Sequence, residues 1–493
     1  MSDTTAQAFD HLVVLMMENR SFDNLFGYLY EDAPPHQFLG RGEPVFRGVA
    51  GRDDLGNPDD RDPPAWIPVA KADWQTPNDM CQPSPDPGEY YQPHVNRQLY
   101  GRDIVPGDAA ELPDPAPMTG FVQDYIRAIR EQEFWDGVPP DREHYQRIMH
   151  CFPPEALPVL NGLAREFAIS DEWFASVPTQ TWPNRSFLHS AQSHGFVTNA
   201  DFIKWHANTA PTLFERLGAA LGAERGWRVY WDPQDLAPLT RFLHPQLKAP
   251  AHDCNFVAFE RFAADCAAGA LPAYSFIQPR LIINHNDMHP PVVPNQRVHS
   301  SVLAGELLVN EVYNAVRSAP TWDRTLLLVI FDEHGGTYDH WPPPRATPPS
   351  AEPAHPLQDG FRFNRFGVRV PALFISPRVA PGTVVRARGP VPFDHTSLIR
   401  TLCDRWSLPG LTDRDAAAPG FGHVLTLGPD EARRVTATFQ PRSYVPLSAA
   451  EAHESLLSGM QHGLGHLIAH SLGRILPAGI TRVGELLRHL DGR

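Results

Sequence analysis

The chain has 493 residues, with 42 Lys+Arg against 57 Asp+Glu for a net charge of −15, and 42% hydrophobic to 20% charged residues. This is a globular composition with apolar material for a large core, and its negative balance excludes non-specific nucleic-acid binding, which needs a basic patch to displace counterions. No apolar run approaches the ~18 residues of a membrane span, since the longest, Leu12 to Met17 and Leu326 to Phe331, have the length of strands.

The segment Met1 to Asp10 has no basic or apolar leader pattern, so a cytoplasmic protein is expected, with export by a non-classical route left open. His11 to Met17 is apolar on both faces and reads as a buried parallel strand, followed at once by Glu18-Asn19-Arg20-Ser21-Phe22-Asp23. Residues 31–116 are polar, rich in Pro, Gly and Asp, and without sustained period, as expected of a long insertion crossing the surface. Proline, at 52 residues, is about twice its usual share. Helical patterns follow at 118–132 and 155–167, and Thr181 is expected just before a short helix with Pro183 in its first turn.

Farther on, Thr212 to Leu221 and Phe256 to Ala268 read as helices, and Trp227 to Trp231 and Tyr274 to Ile277 as strands. The amphipathic stripe of Val302 to Val316 leads into the apolar strand Leu326 to Phe331, which ends in Asp332-Glu333-His334-Gly335-Gly336. A further buried strand, Val370 to Ile375, precedes Asp394-His395-Thr396-Ser397 at the head of a helix through Cys403. This alternation implies βαβ units in an α/β fold with a central, mostly parallel sheet and long loop insertions. The domain expected over 1–440 carries the insertion at about 31–116, and an appended helical tail, rich in Ala, Leu and His, is expected over 441–493. Cys81, Cys151, Cys254, Cys266 and Cys403 form no C-x-x-C and read as free thiols.

The chemistry gathers where strands stop. Glu18-Asn19 and Asp332-Glu333 each follow a buried strand, and in an open parallel sheet ligands bind beyond the strands' carboxyl ends. Three carboxylates and an amide oxygen suit a divalent cation, although either pair alone reads as an ordinary polar cap after a strand. Thr181 offers a hydroxyl that coordination and a helix N-terminus would help ionise, against the plainer reading of an N-capping Thr. Asn184 and Arg185, one turn on, could hold phosphate oxygens. Histidines recur beside acidic residues at His285, His289, His334, His340 and His395, where each could bind phosphate or protonate a leaving group.

Six motifs, in order, carry a family resemblance: Met17-Glu-Asn-Arg-Ser-Phe-Asp23, Pro178 to Arg185, Tyr274-Ser-Phe-Ile-Gln-Pro279, Asp287-Met-His-Pro-Pro291, Asp332 to Gly336 continuing to Asp339-His340, and Asp394-His-Thr-Ser397. Over about residues 8–405 the chain resembles the bacterial phosphoesterase family of phosphatidylcholine-type phospholipases C and related acid phosphatases. The resemblance implies an alkaline-phosphatase-like three-layer αβα fold, a divalent metal ion (Ca or Zn) and a phosphorylated nucleophile. It makes Glu18, Asn19, Thr181, Asp332 and Glu333 the metal ligands, Thr181 the nucleophile, and His289 and His340 phosphate-binding or acid residues. Asn184, Arg185, Glu89, His334 and His395 are the expected substrate contacts. Glu89 stands where many members have a His after Asp-Pro, and is expected to complement a cationic head group beside Tyr90, Tyr91, Trp182 and Tyr338. The substrate implied is a phosphodiester such as a phosphatidylcholine-type lipid; the alternatives are a phosphomonoester, or a catalytically inactive binding protein on the same scaffold.

Overall fold

Apolar runs buried on both faces pair most readily with one another, and two such runs build the centre of this molecule. In the computed structural model, which describes residues 9–76, 79–104, 112–132, 137–199, 202–235, 237–291, 300–446, 448–454, 457, 459–477 and 479–491, His11–Met17 and Thr325–Phe331 lie side by side and parallel. Among the described residues nine strands make the main sheet: β1 (His11–Met17), β2 (Gln37–Leu39), β3 (Ala168–Ser170), β4 (Trp227–Trp231), β5 (Phe256–Ala258), β6 (Tyr274–Gln278), β7 (Thr325–Phe331), β8 (Ala372–Ile375) and β9 (Thr383–Val385). Their spatial order is β5-β4-β6-β1-β7-β8-β3-β9-β2. β8 runs against both its neighbours, and the other pairs are parallel.

Every residue of β7 and β8 is buried, so helices must cover both faces. They fall into two packed groups: α1 (Pro158–Glu166), α4 (Arg261–Ala267) and α5 (Val302–Arg317) in one, α2 (Thr181–Ser190), α3 (Leu213–Leu221) and α6 (Thr396–Trp406) in the other. The expected α/β architecture is thus met. Within the first group, buried Glu306 of α5 accepts from Val159 N and Leu160 N at 2.9 and 2.7 Å, satisfying free amides at the start of α1. Burial raises that carboxyl to about 8.

Two expectations are corrected. Phe256 to Ala268 is not one helix: Phe256–Ala258 is the edge strand β5, and α4 begins at Arg261. Three apolar residues beside an existing edge gain ladder hydrogen bonds that a local helical pattern cannot show. The insertion is not merely a surface loop either. It adds β2 to the sheet, forms a hairpin of Gly56–Pro58 and Trp66–Pro68, and then runs inward to bury Glu89.

The tail forms helices Ala449–His453, Gly459–Ser471 and Val483–Asp491, and Leu464, Leu467 and Ile468 share an apolar cluster with Trp182, Trp205, Phe242 and Leu243. None of the five cysteines is in a disulfide, and Cys254 is exposed while the others are buried. Among the described residues no helix is long and apolar enough to cross a membrane.

Candidate active site

Because β1 and β7 are parallel neighbours in register through Met17 opposite Phe331, the residues that follow them emerge together. Glu18, Asn19, Asp332 and Glu333 are all fully buried there. Asn19 takes a left-handed conformation (φ 57°), and its backbone N–H donates to Asp332 Oδ1 at 3.3 Å. The glycine pair that follows is sterically required. A Cβ at Gly335 (φ 55°) would come within 2.5 Å of the Asn19 backbone oxygen, and one at Gly336 (φ 67°) within 2.6 Å of the Gly88 oxygen.

Thr181 is the first residue of α2, one position later than expected; the N-cap is Gln180. Its hydroxyl oxygen is buried and has no hydrogen-bond partner, so it caps nothing. The loop before it is held by Asn184, whose Oδ1 accepts from Val177 N at 3.0 Å and whose Nδ2 donates to the oxygens of Val177, Thr179 and Gln180 at 3.2, 2.8 and 3.2 Å. Asn184 is therefore corrected from a substrate contact to the brace of the loop before Thr181, because both ends of its amide are spent there. Arg185 lies across the two strand ends. Its Nε donates to Asp332 Oδ2 at 3.0 Å, and its Nη2 lies 3.0 Å from Glu18 Oε1, bridging the two strand ends.

The insertion closes the site from the other side. Glu89 Oε1 accepts from Gln180 Nε2 and Oε2 from Asn19 Nδ2, both at 2.6 Å. With both oxygens engaged and only 9% exposure, it is not free to meet a head group as expected. Ligating atoms of Asp86, Glu89 and His289 all lie within 4.8 Å of one another. His289 Nδ1 is 2.5 Å from the Pro290 oxygen, which can only accept, so Nδ1 carries a proton and Nε2 faces Asp86 Oδ2 at 4.0 Å. Asp287, not assigned a role from sequence, accepts from His289 N at 2.9 Å and lies 2.7 Å from His285 Nδ1. Gln180 carries no sequence signal either; a polar residue before a Thr is unremarked without the fold.

The remaining expected residues divide. His395 accepts from Trp173 Nε1 at 3.2 Å through Nδ1, so its Nε2–H donates to the Asp332 carbonyl oxygen at 2.6 Å. Burial pushes it down to about 4, and a neutral ring with both nitrogens engaged steadies the strand end instead of touching substrate. His334 Nε2 is 2.7 Å from Gln98 Oε1, and burial pushes it to about 3. His340 joins another group: its Nδ1 is 2.5 Å from Asp23 Oδ2, and Arg369 pairs with Asp23 and Asp339 at 3.0 Å each. Among the described residues no hydrogen bond or ion pair joins His340 to Thr181, Glu18, Asp332 or Glu333.

The nearby aromatics pack into the protein and form no cage. Trp182 packs edge-on against Trp205, Tyr338 packs against Phe121, and the guanidinium of Arg365 already lies over Tyr91. Tyr90 alone of the four is exposed.

Electrostatically the site asks for positive charge. Burial lifts the Glu18 and Glu333 carboxyls well above the usual range, and Asp332 to about 6, even though Arg185 pulls Glu18 and Asp332 the other way. Glu18 Oε2, Asn19 Oδ1, Glu333 Oε1 and Thr181 Oγ1 are buried oxygens without a hydrogen-bond partner. Buried acceptors left bare are costly, and a hard cation is what such a donor set fits.

A family model described as the Phosphoesterase family matches residues 9–409. Non-specific phospholipase C5 of Arabidopsis thaliana is 35% identical over 438 residues, covering 84% of this chain and 74% of that protein. Phospholipase C B of Mycobacterium tuberculosis is 26% identical over 438 residues, covering 81% and 74%. A solved structure of a protein in the alkaline phosphatase superfamily from Vibrio parahaemolyticus overlays 54% of this chain and 65% of its own, with a TM-score of 0.34 and 12% identity.

Proposed function

Given that the chain belongs to the Phosphoesterase family and is a phosphoric ester hydrolase, we propose that it acts as a phospholipase C on a phosphodiester lipid of the phosphatidylcholine type, through a phosphothreonine at Thr181. The observation that carries this reading is the Thr181 hydroxyl, buried without a partner at the head of α2, in a site whose Glu18, Asn19 and Glu333 oxygens are also bare. A divalent cation would be held by Glu18, Asn19, Asp332, Glu333 and Thr181, and when bound would supply Lewis acidity that eases ionisation of the hydroxyl and offsets phosphate charge.

Thr181 Oγ attacks phosphorus in line, and its new bond forms as the bond to the departing alkoxide breaks. His289 Nε2, bare while Nδ1 holds the ring proton, takes the hydroxyl proton and gives it to the departing alkoxide, so that proton ends on the departing alcohol. Water then displaces the phosphoryl group, giving it a hydroxyl and returning a proton to Thr181. Asn184 and Gln180 hold the attacking residue in place, and Arg185 and His395 fix Asp332.

A phosphomonoesterase is the second reading, favoured by the missing aromatic cage: nothing among Tyr91, Trp182 and Tyr338 is left to select a quaternary ammonium. Turnover of p-nitrophenyl phosphorylcholine against p-nitrophenyl phosphate, with and without chelator, separates the two. Faster, chelator-sensitive diester cleavage, with acid-quenched enzyme carrying phosphate on the Thr181 peptide, is expected. Preference for the monoester overturns the diester assignment, and phosphate on another residue overturns Thr181.

A further inference from the structure

An asparagine is a nearly symmetric fork, and which end faces a metal site is decided by what holds the other end. Glu89 is the residue in that position here. A carboxylate can only accept, so the 2.6 Å contact with Glu89 Oε2 requires Asn19 Nδ2, and Oδ1 is thereby turned away from Glu89, buried and without a partner. Turned over, the amide would lose its bond to Glu89 and put NH2 where Oδ1 now lies, so the site would present a donor where a cation needs an acceptor.

The same carboxylate sets a second amide. Glu89 Oε1 accepts from Gln180 Nε2 at 2.6 Å, so Gln180 Oε1 is left to accept from Thr198 Oγ1 at 3.0 Å and Asn199 N at 2.9 Å. Gln180 is the N-cap of α2 and directly precedes Thr181, and Asn199 Oδ1 in turn accepts from Trp182 N at 2.8 Å. One side chain, delivered by the insertion, therefore fixes the polarity of an amide after β1 and of another at the head of α2.

We propose that Glu89 is a positioning residue that orients the Asn19 oxygen toward the cation and locks the turn carrying Thr181, a role that rests on the cation-dependent reading above. Its contribution is orientation, and a change in charge alone does not reproduce it.

The test is a double-mutant cycle of the full-length chain, stripped with chelator and titrated calorimetrically with Ca2+, Mn2+ and Zn2+ in parallel. Glu89→Gln should weaken binding by roughly tenfold or more, as loss of an outer partner of a metal ligand does. Asn19→Asp should also weaken it, because two carboxylates then meet where the amide hydrogen bond was. When Glu89→Gln and Asn19→Asp are combined, the introduced amide donates to the introduced carboxylate, which has no wrong end to present, and affinity should recover most of the loss. Net charge alone predicts the opposite pattern: Asn19→Asp binds more tightly than wild type, and the two changes add. That additive result overturns the proposal. If Glu89→Gln does not fold, Asn19→Asp decides by itself, tighter binding overturning the role and weaker binding supporting it. A wild-type chain that takes up none of the three ions removes the cation reading along with this one, whereas wild-type binding with additive variants removes the Glu89 role alone.

Discussion

Replacing Thr181 by valine separates a nucleophile from a structural hydroxyl, because the two readings give stability changes of opposite sign. Thr181 is fully buried and its oxygen has no hydrogen-bond partner, so in metal-free protein the hydroxyl is desolvated with no return. Exchanging it for a methyl of the same shape removes a penalty of about 1–3 kcal/mol. Unfolding entropy of ~2.1 cal/mol/K per residue makes the total for this chain on the order of 1 kcal/mol/K, so Tm should rise by about 1–3 °C. A cation ligated by the hydroxyl works against that advantage: at a free concentration of 100 Kd the wild type gains about 2.7 kcal/mol and Thr181→Val gains less, so the difference in Tm should shrink when metal is added. Activity should fall by several orders of magnitude in the valine variant and partly survive in Thr181→Ser. Differential scanning fluorimetry in chelator and in metal, with p-nitrophenyl ester turnover, reads all three. Thr181→Val that is less stable than wild type in chelator, or that retains substantial turnover, refutes the reasoning.

Gly335→Ala places a Cβ 2.5 Å from the Asn19 backbone oxygen at a φ of 55°, so it should displace the β1 terminus and lower both urea stability and turnover; a variant with wild-type kinetics would show that this close approach is not needed. His244 is fully buried with neither ring nitrogen partnered, and burial holds it down to about 3. The unfolded chain therefore binds a proton that the folded one refuses, and stability is lost as pH falls from about 6.5, by up to ~1.4 kcal/mol per pH unit for this group. His244→Leu should flatten that acid limb and, by removing two buried unpartnered nitrogens, also raise stability above pH 7.5, so parallel urea-stability curves for variant and wild type across pH 4–8 would contradict the assignment.

The parts legible in the sequence are those that depend on one strand or one turn. Residues 11–17 and 325–331 announce themselves because a strand buried on both faces must be apolar throughout, and the acidic pairs after them fall together once those strands are neighbours. Thr181 is visible as a hydroxyl at a helix start. The roles of Asn184, Arg185, His334 and His395 are not, since each depends on a partner far along the chain or on a loop's exact path. Arg185 is 147 residues from Asp332 and His395 is 222 from Trp173. The same holds for Glu89: nothing in a proline-rich polar segment indicates that one of its carboxylates will be carried inward to lie between Asn19 and Gln180. The edge strand β5 stays hidden because three residues are too few to show a period of two.

Arg185 bears on the order in which this molecule is assembled. Small zinc domains stay unfolded until the ion arrives, because nothing else offsets the charge their ligands gather. Here the guanidinium between Glu18 and Asp332 is a counterion built into the polypeptide, present from the moment α2 docks on the sheet. On the proposed cation-dependent reading the chain can therefore complete its core before any ion binds, and a chelator should abolish turnover without lowering the fold's integrity.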